Sequence, residues 1–246
     1  MRCAGLDRTF GPSWTDPGRL DTKYFVLAER KRVFVVDDHP VFRLGLTQLV
    51  QSDEALELAG EADSVSDALE RVGGGLDLVV ADLSLGGQSG LDLVRELKKR
   101  GLDMPVLVVS MHDETLYAER ALRAGASGYL MKSAPPTELL DGIHRALRRE
   151  LVVSERVSSM VLSRLYRGDE PTQGASMVAS LSDRELQIFE MIGTGARTRE
   201  IAERLSISAK TVDTHKSHIK RKLGIERSTD LLRAAMAWVS EQDEPR

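Results

Sequence analysis

The sequence predicts an α/β doubly wound domain with a five-stranded parallel sheet, followed by a small all-α domain of four helices that contains a helix-turn-helix. The first domain is predicted because short apolar runs alternate with helical stretches five times over roughly 120 residues. Such alternation favours a parallel sheet with helices on both faces. The second domain is predicted because two short amphipathic helices near the C-terminus are joined by a tight turn.

Apolar runs and capping residues place the elements of the first domain. Pro40 suits the first turn of a helix, and Ser64 can cap the helix after it. Within the first helix, Val41, Leu44 and Leu49 are expected to share the buried face. The predicted strands are 33–36, 56–60, 76–82, 105–109 and 127–131, and the predicted helices are 40–51, 65–72, one around 91–97, 114–124 and 135–149.

Shifts in composition divide the chain into four segments. Residues 1–30 show no sustained periodicity and are expected to form a flexible N-terminal tail. Residues 31–150 make up the α/β domain. Residues 151–178 are expected to be a linker that can hold a helix, because polar and small residues follow a short apolar patch. Residues 179–243 make up the helix-turn-helix domain.

Composition indicates a globular chain without a disulfide framework. Hydrophobic residues make up 41% and charged residues 29%, and Cys3 is the single cysteine. Apolar runs fall short of the ~18 residues that a membrane span needs, and no secretory signal is evident, so we expect a cytoplasmic protein with no membrane partner. Residues 31–149 carry 14 Lys and Arg against 19 Asp and Glu, whereas residues 197–233 carry 10 against 5. The basic later segment is weak evidence for nucleic acid, since chance variation can produce it.

Polar side chains stand at the carboxyl ends of the predicted strands. In a parallel sheet these ends converge on one crevice. Crowded carboxylates repel one another, and a hard cation such as Mg²⁺ relieves the repulsion. Alone, Asp82 could simply end its strand or cap the next helix. Together, the set could hold a phosphoryl group on an Asp oxygen. Its members are Asp37, Asp38, Asp82, Ser110 and Lys132.

Residues 31–149 resemble a CheY-like receiver domain of a two-component response regulator. The resemblance rests on Asp37-Asp38-His39-Pro40, Asp82, Ser110, Gly128-Tyr129 and Lys132, at the family's spacing. It implies that Asp82 is the phosphoacceptor and that Asp38, Asp82 and the backbone carbonyl of Ser84 bind Mg²⁺, with Asp37 acting through water. Ser110 and Lys132 would bind the phosphoryl group, and Tyr129 would rotate inward as Ser110 moves. Gly86 departs from the family, which usually has proline there.

Four helices are indicated in the last segment. Ser182 and Glu185 form a capping-box pattern, and Ser208 can cap a third helix that Gly224 ends. A helical wheel places Val212, Ile219 and Leu223 on a buried face of that third helix and polar residues opposite. This pattern suits a helix that enters the DNA major groove, although an ordinary amphipathic helix in a small bundle would show it equally well.

Residues 181–239 resemble the LuxR-type helix-turn-helix of NarL/FixJ response regulators. The resemblance rests on Leu181-Ser182-Asp183-Arg184-Glu185, Ile201-Ala202, Ser208 to Val212, His215 and Lys222-Leu223-Gly224. It implies a recognition helix over 209–223. The expected DNA contacts are Lys210, Thr211, Asp213, Thr214, Lys216, Ser217, Lys220, Arg221 and Lys222. Asp213 departs from the family, which often has a basic residue there. His215 and His218 are not expected to bind metal, and His215 is expected to pack towards the core.

These resemblances imply a DNA-binding transcriptional regulator, not an enzyme, that is switched by phosphorylation of Asp82. The expected partners are double-stranded DNA, a cognate sensor histidine kinase, a second copy of the chain when phosphorylated, and RNA polymerase as a further candidate. Two alternatives stay open from the residues alone. One is an aspartate-based phosphohydrolase, although Ser84 occupies the position where such enzymes place a second acid. The other is a phosphorylation-independent binding module.

Overall fold

A computed structural model describes residues 29–167, Val178 and residues 180–243 of the chain. The predicted tail therefore lies almost entirely outside the described residues, as do residues 168–177 of the predicted linker. In the first domain the strands are β1 (Lys31–Val36), β2 (Leu56–Ala62), β3 (Leu78–Asp82), β4 (Ser84–Leu85), β5 (Gln88–Ser89), β6 (Val106–Ser110) and β7 (Gly128–Met131). The helices are α1 (Pro40–Ser52), α2 (Val65–Arg71), α3 (Gly90–Lys99), α4 (Glu114–Ala124) and α5 (Pro136–Leu147).

Five parallel strands form the central sheet in the order β2-β1-β3-β6-β7. Two apolar layers lie on its two faces, one containing α1 and α5 and the other α2, α3 and α4. The central strand β3 is buried throughout, because both of its faces are covered. The predicted doubly wound five-stranded fold is confirmed.

One part of the core prediction is wrong. Val41 is 86% exposed and Leu44 is 58% exposed, whereas the buried positions of α1 are Leu46, Thr47 and Val50. Helix α1 carries apolar residues on two sides, so its pattern alone does not specify which side meets the sheet. The result leaves an apolar strip of α1 at the surface of the described chain.

A small hairpin that the sequence does not predict follows β3. Strands β4 and β5 pair antiparallel across Gly86 and Gly87. Both glycines have positive φ, +51° and +94°, as the tightest hairpin turns require. The hairpin returns the chain to the end of β3, where α3 begins at Gly90.

Gly90 packs directly against the backbone of Asp82. A Cβ atom at position 90 would lie 1.9 Å from the Asp82 carbonyl oxygen. We expect Gly90→Ala to lower the free energy of unfolding by at least ~1–3 kcal/mol, because the chain cannot give way without shifting β3. Urea denaturation measures this. Gly45→Ala in α1 is the control: nothing lies within 4 Å of its Cβ position, so a small gain in stability is expected there.

Helix α6 (Glu155–Arg167) follows the sheet domain and lies on α4. It is preceded by an isolated parallel bridge between Gly128 and Val152, which adds the incoming chain to the outer edge of β7. A helix was expected in this segment from the apolar patch around Val157, which is buried. Helix α6 therefore packs directly against the first domain.

Within described residues 180–243, the second domain has four helices: α7 (Asp183–Gly193), α8 (Thr198–Arg204), α9 (Ala209–Leu223) and α10 (Ser228–Asp243). The capping box of Ser182 and Glu185 is present, and Ser208 caps α9. Gly224 ends α9 in the left-handed conformation, with φ +66°. Helices α8 and α9 form the predicted helix-turn-helix. Among the described residues, no helix is long and apolar enough to cross a membrane.

Candidate functional site

The carboxyl ends of β1, β3 and β7 bring three charged side chains into contact. Lys132 Nζ lies 2.6 Å from Asp37 Oδ2 and 2.7 Å from Asp82 Oδ2, and all three side chains are buried. Asp37 and Asp82 reach this point because adjacent parallel strands end at the same edge of the sheet. Lys132 follows β7, at the end of the sheet, and its ammonium bridges the two carboxylates.

The oxygens of this cluster differ in what they bind. Asp37 is fully committed, since its Oδ1 accepts the His39 backbone N–H at 2.8 Å and its Oδ2 faces Lys132. Asp38 Oδ2 accepts the Gly86 N–H at 2.9 Å. Asp38 Oδ1 is buried and has no well-formed hydrogen bond among the described residues, although His39 Nδ1 lies 2.7 Å away. An unsatisfied carboxylate oxygen is thus left beside Asp82.

The donor set suits a hard divalent cation. Oxygens of Asp37, Asp38 and Asp82, with a ring nitrogen of His39, all lie within 4.8 Å of one another. Carboxylate oxygens in such small number, with room for water, are what Mg²⁺ prefers. The sequence did not predict that His39 would lie in this cluster. Its position directly after the two acids was the available signal.

Gly86 has a contact that proline could not provide. Its N–H holds Asp38 Oδ2, and its φ is +51°. Proline has no N–H and a φ near −65°, so it fits neither feature. The departure noted in the sequence therefore changes how the loop after Asp82 holds Asp38.

Burial raises the pKa of Asp82 to about 6, in the absence of a metal ion. The charge and hydrogen bond of Lys132 oppose this rise, while the neighbouring Asp37 carboxylate adds to it. The raised pKa means that the ionised form of Asp82 is disfavoured, and an added positive charge nearby would stabilise that form. The site is therefore arranged to favour a bound cation.

Ser110 and Tyr129 lie beside this cluster. The Ser110 hydroxyl is buried and accepts the His112 backbone N–H at 3.1 Å. Tyr129 is already buried, and its hydroxyl donates to the His112 carbonyl at 2.7 Å. In this conformation both side chains form hydrogen bonds with the backbone of His112 in the loop that follows β6. A movement of Ser110 would therefore displace His112.

Helix α7 of the second domain docks at the same edge of the sheet. Four polar residues in its first half are buried although they sit on a helix surface: Asp183, Arg184, Glu185 and Gln187. A cavity of about 490 Å³ remains between the two domains, and Asp82, Ser110 and His39 line it from one side and Arg184 and Arg204 from the other. The second domain therefore covers the acidic cluster without filling the space above it.

Asp183 joins the two domains through two arginines. Its carboxylate lies 3.0 Å from Arg95 on α3 and 3.3 Å from Arg120 on α4. Arg120 also donates to the carbonyls of Leu181 and Val178, at 2.8 and 3.2 Å. Together these contacts form an extensive polar connection between the domains, and its centre is the buried Asp183.

A second polar connection begins two residues after Asp82. Ser84 Oγ lies 3.1 Å from His112 Nε2 and accepts from Gln187 Nε2 at 3.0 Å. Glu190 on α7 accepts the Tyr117 hydroxyl at 3.2 Å and lies 3.5 Å from His112 Nδ1. The loops that follow β3 and β6 are thus in direct contact with α7. Sequence reasoning missed His112, Tyr117, Gln187 and Glu190, because contacts between distant segments leave no periodic signal.

The polar face of α9 is accessible in this arrangement. Val212, Ile219 and Leu223 are buried, as the helical wheel predicted. The exposed positions among the expected DNA contacts are Lys210, Thr211, Asp213, Thr214, Ser217, Arg221 and Lys222. The hydroxyls of Thr214 and Ser217 donate to carbonyls one turn earlier, at 3.0 and 2.9 Å, and their lone pairs remain directed outwards.

Three of the lysines expected to contact DNA have partners within the domain. Lys216 Nζ donates to Thr198 at 2.6 Å, and Lys220 Nζ lies 3.4 Å from the Glu226 carbonyl. Lys222 is bound to the buried Glu185 at 2.6 Å and to the Ser180 carbonyl at 3.2 Å. Lys222 is therefore a structural brace in this conformation, whereas the sequence pattern placed it among the DNA contacts.

Two family models match the chain. One, described as a response regulator receiver domain, matches residues 33–144, and the other, described as bacterial regulatory proteins of the luxR family, matches residues 179–235. The nitrate/nitrite response regulator protein homolog of Haemophilus influenzae is 32% identical over 203 residues, which cover 81% of this chain and 93% of that protein. The response regulator UvrY of Escherichia coli K12 is 32% identical over 206 residues, which cover 83% and 93%.

A solved structure shares the fold. RcsB from Salmonella enterica serovar Typhimurium, bound to promoter rprA in the presence of phosphomimetic BeF₃⁻, aligns with a TM-score of 0.52 at 22% identity. The alignment covers 85% of this chain and 99% of that one. Fold and site together define a receiver domain joined to a LuxR-type DNA-binding domain. The chain belongs to the two-component response regulators of that architecture, a family of DNA-binding transcription regulators.

Proposed function

We propose that a sensor histidine kinase or a small phosphodonor phosphorylates Asp82, and that the added charge alters the contact with α7, dimerisation and operator binding. The observation that carries this proposal is the bridge of Lys132 between Asp37 and Asp82 at the sheet edge where α7 docks. We assign residues 31–150 to the receiver, 151–178 to the linker and 179–243 to the DNA-binding domain. The phosphodonor dependence of DNA binding, in wild type and Asp82→Asn, tests the proposal.

In the proposed reaction an Asp82 oxygen attacks the phosphorus of a phosphohistidine. A P–O bond forms, the P–N bond breaks, and the imidazole leaves with a proton. Lys132 would follow the developing negative charge from the carboxylate to a phosphoryl oxygen, and the Ser110 hydroxyl would donate to another. Tyr129 is already inside, so the proposed switch consists of a change in its hydrogen bond to His112.

Mg²⁺ would be held by Asp38, Asp82 and the backbone carbonyl of Ser84, with Asp37 acting through water. When bound, it would neutralise the phosphoryl oxygens during transfer. The unsatisfied Asp38 Oδ1 supports this assignment, as does the commitment of both Asp37 oxygens to protein groups. The chain itself positions the acceptor oxygen, holds Lys132 and limits water access through α7.

Mg²⁺ should stabilise the protein at alkaline pH. The folded pKa of Asp82, about 6, lies above its ordinary value of 3.8. Protonated Asp82 therefore contributes stability that is fully present below pH 3.8 and is lost as pH rises from there through about 6. At pH 8 we expect Asp82→Asn to be more stable than wild type by up to about 3 kcal/mol without metal.

Urea denaturation at pH 8 and at pH 5 measures this difference. The advantage of Asp82→Asn should shrink at pH 5, and millimolar Mg²⁺ should stabilise wild type far more than the variant. Equal Mg²⁺ responses in the two proteins at pH 8 would rule out Asp82 as a metal ligand.

The proposed output is a change at the interface with α7. A phosphoryl group adds about −1.5 to −2 charges at pH 7, and these would appear beside Ser84 and His112, which contact Gln187 and Glu190. Release of α7 would free the DNA-binding domain to pair with that of a second copy. The exposed apolar residues Val41 and Leu44 of α1 offer a surface for receiver dimerisation. RNA polymerase is a further proposed partner at the promoter.

We propose that α9 enters the major groove with Asp213, Thr214 and Ser217 towards base edges. Thr211, Arg221, Lys210, Lys216 and Lys220 would contact phosphates. Asp213 can accept a hydrogen bond from cytosine N4 but repels phosphates, so its presence favours an operator with cytosine at that place.

Lys210→Ala should weaken binding uniformly across DNA sequences and reduce the slope of log affinity against log salt by about 1. Fluorescence anisotropy at several salt concentrations measures both. Lys222→Ala provides the contrast. Burial raises the pKa of Glu185, but hydrogen bonds from Lys222 and Ser182 outweigh it, and the net pKa is lowered. Lys222→Ala should therefore lower the free energy of unfolding. Its slope of log affinity against log salt should be unchanged, whereas the slope for Lys210→Ala should be reduced.

A further inference from the structure

A second cluster of metal-binding side chains lies inside the DNA-binding domain, away from the receiver site. It consists of Glu185 on α7 and of His215 and His218 on α9, and one donor atom from each lies within 4.8 Å of the others. His215 and His218 are three residues apart, so their rings share one side of α9. Glu185 approaches from the neighbouring helix. The cluster therefore joins the first helix of the domain to its recognition helix.

Each of the three side chains offers one atom to a metal ion. Glu185 Oε2 is occupied by Lys222 Nζ at 2.6 Å and by the Ser182 N–H at 2.8 Å. The other oxygen, Oε1, lies 3.8 Å from His218 Nδ1. His215 Nδ1 is buried and has no hydrogen-bond partner among the described residues. A buried polar atom without a partner is costly, and a bound ion is one of the ways in which proteins satisfy it.

The separation between Glu185 and His218 is near that of two ligands of a tetrahedral metal site. Zinc bonds of 2.0–2.2 Å to nitrogen and oxygen place neighbouring ligands about 3.4 Å apart. The Oε1–Nδ1 separation of 3.8 Å needs to close by only a few tenths of an ångström. His218 is 43% exposed, which leaves an entry path and a position for a water ligand. Glu185, by contrast, is almost fully buried.

The chemistry of the donors selects the kind of metal. Two imidazoles and one carboxylate suit a borderline divalent ion such as Zn²⁺ and do not suit Mg²⁺. Lys222 need not leave, because it occupies the oxygen that the metal does not use.

We propose that Glu185, His215 and His218 form a site for Zn²⁺ or a similar transition-metal ion that links α7 to α9. This departs from the interpretation of the sequence, which took the two histidines as non-ligands. A metal there would fix α9 against α7 and stabilise the DNA-binding domain. The proposed metal site rests on the geometry of the DNA-binding domain and not on the proposed phosphorylation of Asp82.

The experiment is a Zn²⁺ titration of the full chain against a chromophoric chelator, with Mg²⁺ in excess to occupy the receiver site. Three proteins are compared: wild type, His218→Asn and His39→Asn. His39 belongs to the receiver cluster and controls for zinc bound there. His218 is half-exposed, so its replacement should leave the fold intact, which circular dichroism verifies. Co²⁺ absorption reports the coordination geometry independently.

We expect one saturable site in wild type and in His39→Asn, and an affinity at least about tenfold weaker in His218→Asn. Tetrahedral Co²⁺ bands should be lost in His218→Asn only. Absence of saturable zinc binding in wild type would overturn the proposal. The proposal would also be overturned if His39→Asn lost zinc binding while His218→Asn retained it. That result would place the zinc in the receiver.

Discussion

Asp82→Asn is expected to abolish covalent phosphorylation of the protein by an acyl phosphate in the presence of Mg²⁺. The reason is that Asp82 is the carboxylate that meets Lys132, Asp38 and the cavity at one point. Intact-mass spectrometry measures the result as the fraction of chains that gain one phosphoryl group. Asp82→Ala should behave in the same way, since neither side chain can form an acyl phosphate.

Asp77→Asn is the matched control. Asp77 stands just before β3, at the opposite end of the same strand, and pairs with Lys31 at 2.9 Å on the surface. Its replacement should leave the labelled fraction unchanged. If Asp82→Asn were labelled as fully as wild type, the assignment of the phosphoacceptor would be wrong.

Asp183→Ala is expected to separate the DNA-binding domain from the receiver without phosphorylation. The change removes the one acid that meets both Arg95 and Arg120, and Asp183 is only 7% exposed. Loss of one partner of a buried pair costs up to 3–5 kcal/mol, and the half-exposed Arg95 reduces this to about 1–3 kcal/mol. The closed arrangement should therefore lose about 5- to 150-fold in population relative to open ones.

Small-angle scattering should show a larger radius of gyration for unphosphorylated Asp183→Ala, and its DNA affinity should rise towards that of the phosphorylated protein. Asp230→Ala is the control, since Asp230 is also an acid in the first turn of a helix of the same domain and pairs with Arg233 on the surface at 3.7 Å. Identical scattering and affinity for the two variants would show that Asp183 does not hold the domains together.

The sequence was informative where chemistry follows from strand order. Asp37, Asp82 and Lys132 could be placed together because parallel strands end at a common edge, and the structure places Lys132 Nζ 2.6 Å from Asp37 Oδ2 and 2.7 Å from Asp82 Oδ2. Helix caps such as Ser182 and Ser208 were equally readable, since the capping residue and its partner are three positions apart. In both cases the signal is local or follows a general rule of the fold.

Other features could not be read from the sequence. The buried face of α1 was assigned to Val41 and Leu44, because the helix has apolar residues on two sides and only tertiary packing selects between them. The contact of Asp183 with Arg120 joins positions 63 residues apart that belong to different domains. Charged residues such as Asp183 follow no hydrophobic periodicity that would predict their burial. Asp183 is buried because the two domains pack together.

The most direct test of the account is selection of fragmented genomic DNA by the immobilised full chain, followed by sequencing. Wild type and Asp82→Asn are each treated with acyl phosphate and Mg²⁺, and each is also left untreated. We expect a set of fragments with paired half-sites that only treated wild type enriches. Enrichment of the same fragments to the same degree in all four samples would contradict a phosphorylation switch at Asp82.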